Sequence, residues 1–248
     1  MNRLRGQFGL WIVIVALIIV KHSSCLATTI VAIRTPEVFA IAADGGGTFK
    51  GGGNPPTQQS VSKIFQEGGV LYAICGLAKD DRRGFHPAEI IAVLAQKTPS
   101  FPYLLTNLEA ALSKSLKEEL ARLRIEDPLL FQDSIEGDNA GTAVLLAWFE
   151  KGEPVAVAIR FVGTVDPDGQ LRIRTTRLAC PGDCPGETYT FFLGHRKAID
   201  KYVAEHGKDF AMSPEEAVSF LVNIEIDAKT PGVGPPVDAA RLNKKGTK

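Results

Sequence analysis

The sequence predicts an α+β fold, and three observations carry that expectation. Two β-rich runs near Thr29 to Arg34 and Val38 to Ala43 meet at Pro36-Glu37. A leucine stripe at helical spacing follows at Leu108, Leu112, Leu116, Leu120 and Leu123. A hairpin pattern then occupies Thr142 to Phe149 and Pro154 to Phe161, before two more helical segments. Strands and helices fall in blocks instead of alternating, which favours a segregated layered fold over a doubly wound parallel sheet.

The elements follow in order. The first two strands are built from β-branched and small apolar residues, with a proline turn between them. Gly45 to Pro56 holds six glycines and reads as a loop; it lacks the Gly-Lys-Ser/Thr ending of a phosphate loop. Ser62 to Gln66 and Val70 to Cys75 read as a strand pair turning at Glu67-Gly68-Gly69. A helix is expected over Pro87 to Lys97, proline suiting its first turn. Thr106-Asn-Leu-Glu109 has the spacing of a capping box and predicts the start of the leucine-striped helix. Asp127 to Gly141 reads as a loop, and Asp166-Pro-Asp-Gly169 as a turn before a strand over Gln170 to Leu178. Tyr189 to Leu193 reads as a short strand, and His195 to Glu205 as a helix. Ser213-Pro-Glu-Glu216 is a capping box with proline at the first helical position, opening a helix to about Asp227. A last strand is expected near Val237 to Leu242, ahead of a basic tail that is expected to fray.

Charge is balanced, with 28 basic and 28 acidic residues, so the chain has no nucleic-acid footprint. Residues 1–27 differ in composition from the rest. Arg3 and Arg5 precede an apolar run from Leu10 to Val20, and small side chains stand at Cys25 and Ala27. That is the pattern of an export signal cut after Ala27, leaving a domain of residues 28–248 with 25 basic against 28 acidic residues. The expected location is periplasmic or secreted; the alternative is an uncleaved anchor through residues 8–20, although the apolar run is short for a span. A lipoprotein cut before Cys25 fits less well, because His22 occupies a position that is usually apolar in such sites.

Cleavage after Ala27 would make Thr28 the first residue. A terminal threonine carries its own base, since a free α-amine of ordinary pKa about 7.7–8.0 lies beside the hydroxyl. Of the cysteines, Cys180 and Cys184 enclose Pro181-Gly-Asp183 and read as a small disulfide-closed turn in an oxidising compartment. Zinc is the rival reading, but two thiols are too few ligands. Cys75, inside an apolar run, reads as a core residue.

Thr28-Thr-Ile-Val-Ala-Ile33, Ala42-Ala-Asp44, Thr48, Lys63-Ile-Phe65 and Ala73-Ile-Cys-Gly-Leu77 together resemble the β-type subunits of the proteasome and their bacterial relatives. Met212-Ser-Pro-Glu-Glu-Ala-Val218 agrees in order on the last long helix. The resemblance implies a four-layer αββα sandwich and an N-terminal-nucleophile (Ntn) hydrolase. It implies Thr28 as nucleophile, Lys63 as the cation that keeps hydroxyl and amine reactive, and Asp44 as the carboxylate paired with Lys63. It further implies the Gly76 amide as oxyanion donor, with Gly47 and Thr48 binding substrate backbone as an added strand. The implied substrate is a peptide or small amide, and no metal or organic cofactor is implied. A homo-oligomer is compatible with the resemblance; an ATPase partner is not expected of an exported chain. The departures from the family are specific. Ala27 replaces the glycine that usually precedes the threonine. No serine stands at Leu193-Gly-His195, where the family has a helper; His195 is a candidate replacement. Thr230 and Val233 occupy the other helper positions, with Asp227 a candidate substitute. Gly84 and Pro87 interrupt the first long helix of the family pattern. A catalytically silent scaffold of the same fold and a periplasmic ligand-binding module are the competing readings.

Overall fold

A computed structural model describes residues 28–49, 57–77, 85–97, 100–136, 141–207, 211–244 and 246–247. The export segment, its alternative as an anchor, and most of the glycine-rich stretch lie outside the described residues. Among those residues no helix is long and apolar enough to cross a membrane.

The fold is α+β, with two five-stranded antiparallel sheets, a two-stranded hairpin and five helices. In the first sheet, β1 (Thr29–Arg34) lies between β10 (Tyr189–Gly194) and β2 (Val38–Asp44), and β2 pairs on its other side with β11 (Val237–Asn243). The short β12 (Gly246–Thr247) closes that edge, so the basic tail is paired where it was expected to fray. The second sheet runs in chain order: β5 (Ile64–Glu67), β6 (Val70–Gly76), β7 (Thr142–Glu150), β8 (Glu153–Val165) and β9 (Leu171–Cys180). The hairpin joins β3 (Gly46–Phe49) to β4 (Thr57–Ser60).

The near-continuous apolar character of β1 and β2 follows from burial on both faces. Ile30, Ala32, Phe39 and Ile41 meet Leu71, Ala73, Leu145 and Ala147 of the second sheet. The alternate residues Val31, Ile33, Ala40 and Ala42 pack instead on Val218, Leu221 and Val222 of α5 (Pro214–Asp227) and on Ile199 of α4 (Lys197–His206). The outer face of the second sheet, through Val70, Tyr72 and Ile74, packs on the leucine stripe of α2 (Phe101–Glu126). Ile91 of α1 (Pro87–Lys97) and Phe131 of α3 (Pro128–Glu136) join that cluster.

Three expectations need correction. The leucine-striped helix begins at Phe101, with Ser100 as its N-cap, so Thr106 lies inside it and its hydroxyl donates to the Pro102 carbonyl at 3.1 Å. Buried Leu104 and Leu105 extend the apolar face ahead of the apparent capping box, and that burial outweighs the local signal. The stretch 127–141 contains α3 and is therefore not simply a loop. Asp127 accepts from the Leu130 amide at 3.1 Å, ahead of a proline at the first helical position. Part of the glycine-rich loop is ordered as β3, because the Gly46 amide is held by the Gly234 carbonyl at 2.9 Å.

The hairpin 142–165 turns at Lys151 and Gly152, both at positive φ, which matches the twist of its strands. Cys180 and Cys184 are joined as a disulfide across a turn. The capping box at Ser213 forms as expected, hydroxyl to Glu216 amide and Glu216 carboxylate to Ser213 amide.

Candidate active site

Asp44 ends β2 with no exposed surface, and both of its oxygens are fully engaged. One accepts from the Thr29 amide at 2.8 Å and from the Lys63 ammonium at 2.8 Å. The other accepts from the amides of Gly46 at 3.1 Å and Gly234 at 3.2 Å. A buried carboxylate keeps its charge only when so paired. Gly46 and Gly45 can approach this closely because they lack Cβ; one on Gly45 would lie 2.7 Å from Pro236 and one on Gly46 2.7 Å from the Gly234 nitrogen.

Lys63 is 8 % exposed and stands just ahead of β5. Among the described residues Asp44 is its hydrogen-bond partner. Burial pulls the lysine pKa below 10.5, while the charges of Asp44, Cys75 and Asp238 oppose that shift. Asp238, paired with Ala43 across β11 and β2, is a second carboxylate near this ammonium that the sequence reading did not identify. Cys75 is a buried thiol pushed up to about 12 by desolvation, which keeps it protonated near neutral pH.

Thr28 is buried at the start of β1. Its carbonyl accepts from the His195 amide at 2.8 Å, and the Thr29 hydroxyl donates to the His195 carbonyl at 3.0 Å. The imidazole therefore has no part in this contact: His195 reaches residues 28 and 29 through its backbone. Gly194, at φ +81°, faces the same carbonyl, and a Cβ there would fall 1.8 Å from the Thr28 oxygen. Among the described residues the Thr28 hydroxyl has no hydrogen-bond partner.

The β10–α4 junction is held from a distance. Glu225, fully buried on α5, accepts from the amides of Ala198 at 2.6 Å and Ile199 at 3.1 Å in the first turn of α4. The Thr230 hydroxyl donates to the other Glu225 oxygen. Arg196, the N-cap of α4, contributes no side-chain cap, so Glu225 satisfies those amides instead. Asp227, the candidate substitute, is exposed. The buried carboxylate of this turn is Glu225, two residues earlier.

Gly76 ends β6 at φ +87°. The Ile74 amide donates to the Lys63 carbonyl at 3.3 Å, and the Leu77 amide donates to the Gly141 carbonyl on the opposite side at 2.9 Å. Strand alternation puts the Gly76 amide on the same edge as that of Ile74, beyond the point where β5 begins. A side chain at Gly76 would collide with the Gly141 carbonyl at 2.3 Å. Gly47 and Thr48 lie on β3 opposite Gln59 and Gln58, directly after the Asp44–Gly46 contact. Among the described residues the other edge of β3 has no ladder partner.

Asp44, Lys63 and the β1 start are thus in direct contact, and Gly76 lies on the Lys63 side of β6. No group of three or more histidine, cysteine, aspartate or glutamate side chains among the described residues is placed to hold a metal ion. The chain matches no protein-family model, and no curated protein matches it.

Proposed function

We propose that this chain is an exported, proteasome-like Ntn hydrolase that cleaves an amide bond, most naturally in a peptide, with Thr28 as nucleophile. The single observation that carries the reading is the buried Lys63–Asp44 pair hydrogen-bonded to the Thr29 amide. A buried lysine beside a threonine needs an electrostatic reason, and keeping a neighbouring amine neutral supplies one. The αββα layering is supported by the three apolar clusters, which lie between α1–α3 and the second sheet, between the two sheets, and between the first sheet and α4–α5.

In this mechanism, cleavage after Ala27 frees the Thr28 amine. The hydroxyl oxygen attacks the scissile carbonyl while its proton passes to that amine. The ammonium of Lys63 lowers the amine's proton affinity, and Asp44 fixes the ammonium in place. The Gly76 amide donates to the tetrahedral oxyanion, a contribution typically of about 10²–10³ in rate. Collapse expels the leaving amine with the proton, and water then hydrolyses the threonyl ester by the reverse sequence. Residues 194–195 supply backbone where the family has a helper hydroxyl, and this favours a silent scaffold as the second reading.

N-terminal sequencing and intact mass of the exported protein, followed by exposure to a peptidyl epoxyketone, test the proposal. The expected result is a start at Thr28 and the mass gain of one inhibitor, absent in Thr28→Ala. A start at Met1 or Cys25 would sink the threonine mechanism. A start at Thr28 without labelling would favour the scaffold.

A further inference from the structure

A second feature opens beside residue 28. The edge strands β10 and β9 leave a cavity of about 360 Å³ between the two sheets. One wall is a cross-strand row, Ala143, Arg160 and Thr176, continuous with Cys75 through the β6–β7 register. The opposite wall is Phe191 and Leu193 of β10, and Leu193 pairs with Ile30, two residues from Thr28. Small side chains at Ala143 and Ala158 leave the space that larger residues fill elsewhere between the sheets.

The charges around this cavity have one sign. Its lining includes Arg160, Arg177 and Arg196 and no aspartate or glutamate, although the chain as a whole is balanced. The three arginines are not equivalent. Arg177 pairs with Glu109 on α2 at 3.6 Å, and Arg196 pairs with Asp200 at 3.2 Å on an exposed helix face. Arg160 belongs to the row that faces the other sheet, since Ala156 and Ala158 on the same strand pack between the sheets. A planar guanidinium fork suits a carboxylate, and the apolar walls suit a hydrocarbon stem.

We infer that the cleft between β9 and β10 binds a carboxylate on an apolar stem, presented by a peptide, with Arg160 as its principal anchor and Thr176 as a second donor. Resting on the reading of Thr28 as nucleophile, the cleft is the subsite that selects an acidic group near the scissile bond. The carboxylate can come from an acidic side chain or from a free peptide C-terminus.

The test uses the exported protein carrying Thr28→Ala, so that no turnover interferes, and reads binding by titration calorimetry. Three peptides serve as probes: acetyl-Leu-Ala-Glu-Ala-Leu-amide, its Gln counterpart as the amide, and the Gln counterpart as the free acid. Binding of the Glu amide at least about tenfold tighter than the Gln amide supports side-chain recognition. The same preference for the free acid supports capture of a C-terminus. Equal binding of all three, or none, overturns the inference without use of any variant at the cleft. Arg160→Gln is expected to erase the preference and Arg177→Gln to leave it; a preference that survives Arg160→Gln removes Arg160 as anchor. Threonine labelling in the wild-type protein reports separately on the nucleophile. Labelling without carboxylate preference rejects the cleft alone, and preference without labelling rejects the nucleophile alone.

Discussion

Each end of β1 lies against a buried cation, and the two cations are satisfied in opposite ways. At the Arg34 end, the guanidinium is 3 % exposed and donates to the Pro154 carbonyl at 3.0 Å, the Glu187 carbonyl at 2.8 Å and the exposed Glu153 carboxylate at 3.3 Å. Its partners come from β8 of the facing sheet and from the segment before β10, so it works as a clamp with its donors distributed over backbone. At the Thr28 end, the Lys63 ammonium has a single carboxylate as its described partner, and that carboxylate is shared with three amides. The clamp is saturated. The lysine retains donor capacity and a depressed pKa, which is the condition expected of a group that acts on a neighbour.

The largest way to break this contrast is Asp44→Ala. It strands a buried ammonium and three amides at once, and a loss of about 3–5 kcal/mol in urea unfolding is expected, together with loss of epoxyketone labelling. A loss below about 1 kcal/mol would mean that the pair is not buried as described. Arg34→Ala comes next, at about 2–3 kcal/mol, since two buried carbonyls lose their donors. Labelling of Thr28 per folded molecule should be unchanged there, and a parallel loss would show that the clamp and the site are not separable.

Lys63→Met sharpens the comparison from the other side. Asp44 keeps its three amides, so the stability loss should be only about 1–2 kcal/mol, while labelling should fall by at least about 10²-fold. Equal effects of Lys63→Met and Asp44→Ala on stability would contradict the shared-carboxylate arrangement.

The smallest effect lies in the alkaline range. The native Lys63 pKa is below the ordinary 10.5, so between the two values the unfolded chain holds the extra proton. Stability contributed by this group therefore rises with pH through that window. Reactivity should move the other way, falling as native Lys63 loses its proton. Labelling rate and melting temperature measured together from neutral pH to about 10.5 should diverge, and Lys63→Met should remove the divergence.

Much of the architecture was legible because its causes are local. The unbroken apolar runs of β1 and β2, the leucine stripe of α2 and the capping box at Ser213 are written in neighbouring residues and their period. Asp127-Pro128 was also a readable helix start, passed over because the segment is short. The candidate site was legible only in part. Thr28, Asp44 and Lys63 stood out through a family resemblance, whereas periodicity marks each of them as an ordinary strand-end residue. Nothing near Gly234 or Glu225 marks either as part of the site, since one acts through an amide and the other caps a helix that it does not belong to.

By itself, then, the sequence determined which segments become strands and helices and which of their faces must be buried. Only the tertiary structure decided which polar groups meet. The Asp44 carboxylate collects donors from residues 15, 19 and 190 positions away, and Glu225 reaches amides 26 and 27 positions away. Likewise, the arginine-lined cleft exists only where two edge strands of different sheets come to lie side by side. Apolar burial is non-directional and can be satisfied by any packing of the right faces. A buried charge demands particular donors at hydrogen-bond distance, and those are defined only once the sheets have closed on each other.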